Sequence, residues 1–270
     1  MDKFKNKTIF ITGASSGIGK ALVQEFFRQG ASLILLARRK HRLDQIVANL
    51  GDKDQRVVSF QCDVNCLEDL KAAVVQGVNK FGKIDVVVAN AGFGVAGTLE
   101  KIHVEDYRRQ FETNVFGVLN TTYSTLDQLK NTKGTLVLVG SVAGSIALPG
   151  NSAYAMSKAA VNALSDSLTG ELVKYGVSVV LITPGFIESE IRKVNNQGVY
   201  QDHARDPVPH WLVMSSDRAA KKMIQAIYQK KREKVITFHG QLALFLRRFV
   251  PGLLQFLVQL GLKGRDEPSE

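Results

Sequence analysis

The chain has 270 residues, 45% hydrophobic and 22% charged, enough to bury the core of one large domain and unlike a disordered or fibrous composition. Its net charge of +10 is concentrated: residues 1–50 hold nine Lys/Arg against three Asp/Glu, and residues 221–248 hold eight against one. No helix-turn-helix, zinc finger or basic strand interleaved with aromatics accompanies that charge, so no nucleic-acid partner is expected.

The start, MDKFKNKTIFITG, lacks an apolar h-region followed by a cleavage site, which predicts a cytoplasmic protein. The two cysteines, Cys62 and Cys66, lack the second ligand pair that zinc would need. They are expected as free thiols, with no metal site.

In chain order, the first apolar run, KTIFIT at 7–12, leads into TGASSGIG at 12–19 and then a stretch with helical spacing. Gly13, Gly17 and Gly19 thus sit where a strand hands over to a helix. Their missing side chains suit a pyrophosphate resting on backbone N–H groups at a helix N-terminus. The second run, SLILLA at 32–37, ends on Arg38 and Arg39 with no carboxylate. An acidic residue there would bind a ribose 2′-hydroxyl, whereas a guanidinium fork matches a 2′-phosphate.

The third run, VVSFQC at 57–62, precedes Asp63 and Val64; the fourth, IDVVVA at 84–89, precedes Asn90, Ala91 and Gly92. The fifth, TLVLVG at 135–140, precedes Ser141, and the sixth, VSVVLIT at 177–183, precedes Pro184 and Gly185. These runs are apolar throughout, as strands buried on both faces must be, and helical segments separate them. The alternation predicts an α/β fold with one doubly wound parallel sheet and helices on both faces. A helix around 216–232 and a seventh strand, KVITF at 234–238, are expected to close one edge.

In such a sheet, ligands bind beyond the carboxyl ends of the strands, where every motif named above lies. The helix opening near residue 152 places Tyr154 and Lys158 four residues apart on one face. A phenol is a poor acid-base group at neutral pH, and a fixed ammonium beside it stabilises the phenolate. A serine hydroxyl at Ser141 can bind the same substrate oxygen.

TGASSGIG, CDV with Asp63, NAG at 90–92, Asn114, Ser141, YAMSK at 154–158 and PG at 184–185, in that order, resemble the motifs of the short-chain dehydrogenase/reductase family over roughly residues 6–238. The resemblance implies a single Rossmann-like domain and an NADP(H)-dependent oxidoreductase interconverting a carbonyl and an alcohol. It assigns Asn114, Ser141, Tyr154 and Lys158 to catalysis, with Asn114 supporting a water-linked proton relay. It assigns the cofactor to Gly13, Ser15, Ser16, Gly17, Ile18, Gly19, Arg38, Arg39, Asp63, Val64, Asn90, Ala91, Gly92, Tyr154, Lys158, Pro184, Gly185 and Ile187. Where the family usually has a threonine after Pro-Gly, this chain offers Ser189, whose hydroxyl can make the same nicotinamide contact. Asp63 is open to two readings, binding the adenine amine or capping the following helix.

Residues 186–215 read as a partly irregular lid that brings Pro209, Trp211, Leu212 and Met214 over a lipophilic substrate such as a steroid, sphingoid or fatty-acyl carbonyl. His203 and His210 read as surface residues. Residues 239–270 form an extension whose apolar part, 239–262, calls for a covering surface. A partner subunit in a homodimer or homotetramer, the active-site mouth and a peripheral membrane contact all meet that need. The alternative to an enzyme is an NADP(H)-sensing binding protein that kept the fold without turnover.

Overall fold

The computed structural model describes residues 2–256 apart from 202, 204, 205 and 207. Seven parallel strands form one sheet in the order β3-β2-β1-β4-β5-β6-β7. They are β1 (Thr8–Thr12), β2 (Ser32–Ala37), β3 (Val57–Gln61), β4 (Val86–Ala89), β5 (Thr135–Val139), β6 (Ser178–Thr183) and β7 (Glu233–Val235). Strand order reverses between β1 and β4, which pair through Ile9–Val86, Phe10–Val87 and Ile11–Val88. That switch point opens the crevice holding the site.

Two cores lie on opposite faces, and β1 feeds both because successive side chains alternate. Ile9 and Ile11 pack with α1 (Gly17–Arg28), α2 (Lys40–Leu50) and α7 (Ser216–Tyr228). Phe10 joins the other cluster with α3 (Leu67–Phe81), α5 (Gly117–Thr132) and α6 (Ser152–Leu172). Asn114 lies where α4 (Val104–Phe111) runs through a π-helical turn at Glu112–Phe116 into α5. Such turns widen a helix by one residue and recur at functional sites.

The seventh strand is shorter than expected and the preceding helix ends at Tyr228 rather than near 232. Thr237, expected in the strand, instead caps α8 (Phe238–Phe249) by accepting the Gly240 N–H at 3.3 Å. A side-chain oxygen that satisfies a helix terminus competes with continued sheet pairing. Residues 251–256 are also helical, and 257–270, which include the end of the expected apolar stretch, lie outside the described residues. Among the described residues no helix is long and apolar enough to cross a membrane.

Candidate active site

β1 ends in the glycine turn, where Gly13 and Gly17 adopt left-handed φ values of 66° and 50°. A Cβ on Gly13 would lie 2.8 Å from the Ala91 Cα, and one on Gly19 would lie 2.1 Å from the Gly13 oxygen, so larger residues would break the turn. Asn90 ties this turn to the end of β4, its Nδ2 donating to the Thr12 and Gly13 carbonyls at 3.0 and 3.2 Å. Thr12 Oγ1 accepts the N–H groups of Asn90 and Ala91 at 3.1 and 3.2 Å. Ser16, the N-cap residue of α1, makes no side-chain cap bond. The first N–H groups of α1 are therefore left to an external acceptor.

Two residues beyond β5, Ser141 accepts the Ala143 N–H at 3.1 Å, and its hydroxyl lies within reach of the Tyr154 phenol. Tyr154 and Lys158 lie in the first two turns of α6. Burial raises the Tyr154 pKa above the ordinary phenol value, while the Ser141 hydroxyl and the charge of Arg192 pull it down. Lys158 Nζ donates to the Val139 carbonyl at 2.8 Å and stands 5.8 Å from the Tyr154 ring centre. Its burial lowers the pKa to about 8. Asn114, fully buried in the π-helical turn, donates from Nδ2 to Phe93 O and Ser157 Oγ, both at 3.1 Å, and accepts the Phe93 N–H at 3.1 Å. A Cβ on Gly92 would approach Asn114 Oδ1 to 2.9 Å and Lys158 Nζ to 3.8 Å, so the end of β4 lies against both residues.

At the end of β2, Arg39 Nη2 donates to Ser16 Oγ and to Glu190 Oε2, each at 3.0 Å. Arg42, one turn into α2, donates from Nη1 to both Glu190 oxygens at 2.6 and 2.8 Å. Burial raises the Glu190 pKa, but the bonds from Arg42 and Arg39 outweigh it and hold the carboxyl below its usual range. Glu190 opens a short 3-10 turn, Glu190–Lys193, capped by Ser189 Oγ. The same turn brings Ile191 to Gly94, which Tyr154 also flanks: a Cβ there would touch Tyr154 Cδ2 and Ile191 Cγ1 at 3.7 and 3.8 Å.

A model of the family described as short chain dehydrogenase matches residues 7–199. The chain belongs to this family. It is 31% identical to an 11-beta-hydroxysteroid dehydrogenase A of Sesamum indicum over 94% of its own length and 75% of that protein's. An alcohol dehydrogenase from Thermococcus sibiricus, solved with 5-hydroxy-NADP, is similar at 27% identity and a TM-score of 0.74, over 86% of this chain and 96% of that one. A Burkholderia phymatum short-chain dehydrogenase/reductase solved with NAD shares the fold at 23% identity and a TM-score of 0.82, over 94% and 96% of the two chains.

Asn114, Ser141, Tyr154 and Lys158 come together in one crevice. The charge of Arg192 acts on the Tyr154 hydroxyl, and Lys158, one of its donors on Val139, stands beside the same ring. Asp63 accepts the Asn65 N–H at 3.0 Å in a local turn, and Cys66 occupies the N-cap position of α3 without a side-chain cap bond. Val64 and Ile187 are core residues, and Ile18 packs against the core. Ser15 is buried in the glycine turn, and Ser16 answers to Arg39. The Pro184 carbonyl accepts the Val142 N–H at 2.9 Å, whereas a Cβ on Gly185 would sit 2.5 Å from His239 Nε2. These two residues pin the lid's root.

In the lid, Trp211 is 82% exposed, and Met214 pairs with Ile187 and packs on the α1/α7 core. Arg42 and Glu190 were missed by sequence reasoning. Arg42 had a signal, three residues after Arg39 at the start of a helix; Glu190 had none, since its partners are about 150 positions away.

Proposed function

We propose that the chain is an NADP(H)-dependent carbonyl reductase or alcohol dehydrogenase acting on a lipophilic substrate. The observation that carries this reading is the meeting of the Ser141 hydroxyl and the Tyr154 phenol in one crevice with Lys158, Asn114 and the glycine turn. The uncapped start of α1 fits a pyrophosphate, and the paired guanidiniums of Arg39 and Arg42 fit a 2′-phosphate. A nicotinamide dinucleotide held there supplies or accepts a hydride at the substrate carbon.

In this reading, Tyr154 exchanges the proton of the substrate oxygen, and Ser141 donates to that oxygen and orients it. Lys158 has three donors, of which one holds Val139, leaving others for ribose hydroxyls. Asn114 holds the Phe93 backbone and Ser157 beneath Tyr154, fixing the start of α6. The similarity to a steroid dehydrogenase and to an alcohol dehydrogenase supports oxidoreduction at a hydroxyl or carbonyl. The test is NADPH oxidation over ketones graded from small polar to steroidal and long-chain. Turnover should rise toward the apolar end, and no turnover with any ketone or aldehyde would count against the enzyme reading.

We also infer that the exposed apolar face of α8 associates with a second copy or an anionic membrane surface. Phe238, Leu242, Phe245 and Phe249 are exposed along it, beside the basic stretch of residues 221–248.

A further inference from the structure

We propose that Glu190 is a cofactor-selectivity residue carried by the lid, its carboxylate competing with the adenosine 2′-phosphate for Arg39 and Arg42. The inference deepens the NADP(H) reading above and rests on it. Both guanidiniums converge on this one carboxylate, at 3.0 Å from Arg39 and 2.6 and 2.8 Å from Arg42, and Arg39 also holds Ser16 at the start of α1. A group placed between the glycine turn and the end of β2 must therefore share or take these donors.

Charge sets the direction. Two guanidiniums and one carboxylate leave a net +1, and a phosphate dianion brought beside them meets repulsion from Glu190 as well as attraction from the arginines. A cofactor whose ribose carries only a 2′-hydroxyl brings no charge to that spot and escapes most of this penalty. Glu190 thus narrows the discrimination that Arg39 and Arg42 alone would give.

The carboxylate has somewhere to go. Glu190 lines a cavity of about 660 Å³ with Lys20 and Lys193 on its walls, so a displaced side chain meets other cations. Displacement also moves a turn that touches the chemistry. Ser189, one residue earlier, lies under Gly17, where a Cβ would come within 3.0 Å of it, and Ile191, one residue later, flanks Gly94 together with Tyr154. The four-residue turn Glu190–Lys193 therefore links the phosphate end of the crevice to the acid-base end. Phosphate recognition and lid position become one equilibrium.

The probes are adenosine 2′,5′-bisphosphate and 5′-AMP, which differ only in the 2′-phosphate, titrated calorimetrically against the full chain and Glu190→Gln. The bisphosphate should bind Glu190→Gln about five- to tenfold more tightly than it binds the parent, with AMP affinity unchanged. In the parent, the bisphosphate but not AMP should speed tryptic cleavage after Lys193, and in Glu190→Gln cleavage should be fast without either. Glu190→Ala, matched to the parent by thermal melting, should show the same selectivity change.

If the parent prefers the bisphosphate and Glu190→Gln leaves the ratio unchanged or lowers it, the competitor role fails while the NADP(H) reading stands; a lowered ratio would make Glu190 a brace for the arginines. If the parent binds both probes alike and Glu190→Gln gains a preference, the parent's NADP(H) selectivity fails and the role of Glu190 stands. No preference in either protein overturns both.

Discussion

Lys158 Nζ donates to the main-chain carbonyl of Val139 at 2.8 Å, so the ammonium of the crevice is held by β5 rather than by a carboxylate. Burial without a counter-charge lowers its pKa from 10.5 to about 8. The folded state then binds fewer protons than the unfolded chain between those values, and stability rises with pH across that window. Below pH 8 the buried charge costs about 3 kcal/mol relative to the neutral amine. Lys158→Met should therefore gain stability on the parent at pH 7, and the gap should close as pH rises toward 10. Thermal melting across pH 7–10 checks this, and a parallel pH dependence of the two proteins would contradict it.

Tyr154→Phe should reduce turnover about a thousandfold or more while leaving NADPH affinity within a few-fold of the parent. The substitution removes the transferable proton and the hydroxyl beside Ser141 but little volume. Steady-state rates alongside fluorescence titration separate the two effects. Activity within a few-fold of the parent would remove Tyr154 from the proton transfer.

Arg39→Ala should narrow the NADPH:NADH affinity ratio about tenfold, and Arg38→Ala should change it far less. Arg39 is fixed by Ser16 and Glu190 at the glycine turn, whereas Arg38 is exposed. A guanidinium already held in place loses less freedom on meeting a phosphate. Nicotinamide fluorescence titrations of both variants decide between the neighbours, and equal effects would show that position on the strand end does not matter.

The parts of this site that could be read in advance are those written in local pattern. Apolar runs of five to seven residues gave the strands, and residues at their carboxyl ends had to meet near the switch point, which placed Gly13, Asn90 and Ser141 together, with Tyr154 at the start of the helix that follows β5. The strand end at Thr237 changed through a local competition, because its hydroxyl caps α8 three residues on. Contacts distant in sequence carry no such local signal, as where the Met214 backbone pairs with Phe186 and Glu188. The bond from Lys158 to the Val139 carbonyl and the charge of Arg192 near Tyr154 likewise join residues far apart in the chain.

The face of α8 should make the protein associate. Phe245 and Phe249 are 56% and 62% exposed with ring centres 4.8 Å apart, forming one apolar patch one helical turn long. Deleting the whole helix would confound the test: His239 Nε2 accepts the Phe186 N–H at the lid root at 3.1 Å, and a Cβ on Gly240 would come within 2.7 Å of Val142. Phe245→Ser with Phe249→Ser spares both contacts. The double variant should lose the self-association seen by light scattering, or the sedimentation with anionic vesicles, that the parent shows, while keeping its melting temperature. Loss of vesicle binding alone, weakened further by salt, would assign the face to a membrane surface, because the eight cations of residues 221–248 would then act through screened attraction. Loss of a dimer or tetramer at any ionic strength would assign it to a second copy. A parent that is monomeric and indifferent to vesicles would show that neither surface covers these phenylalanines.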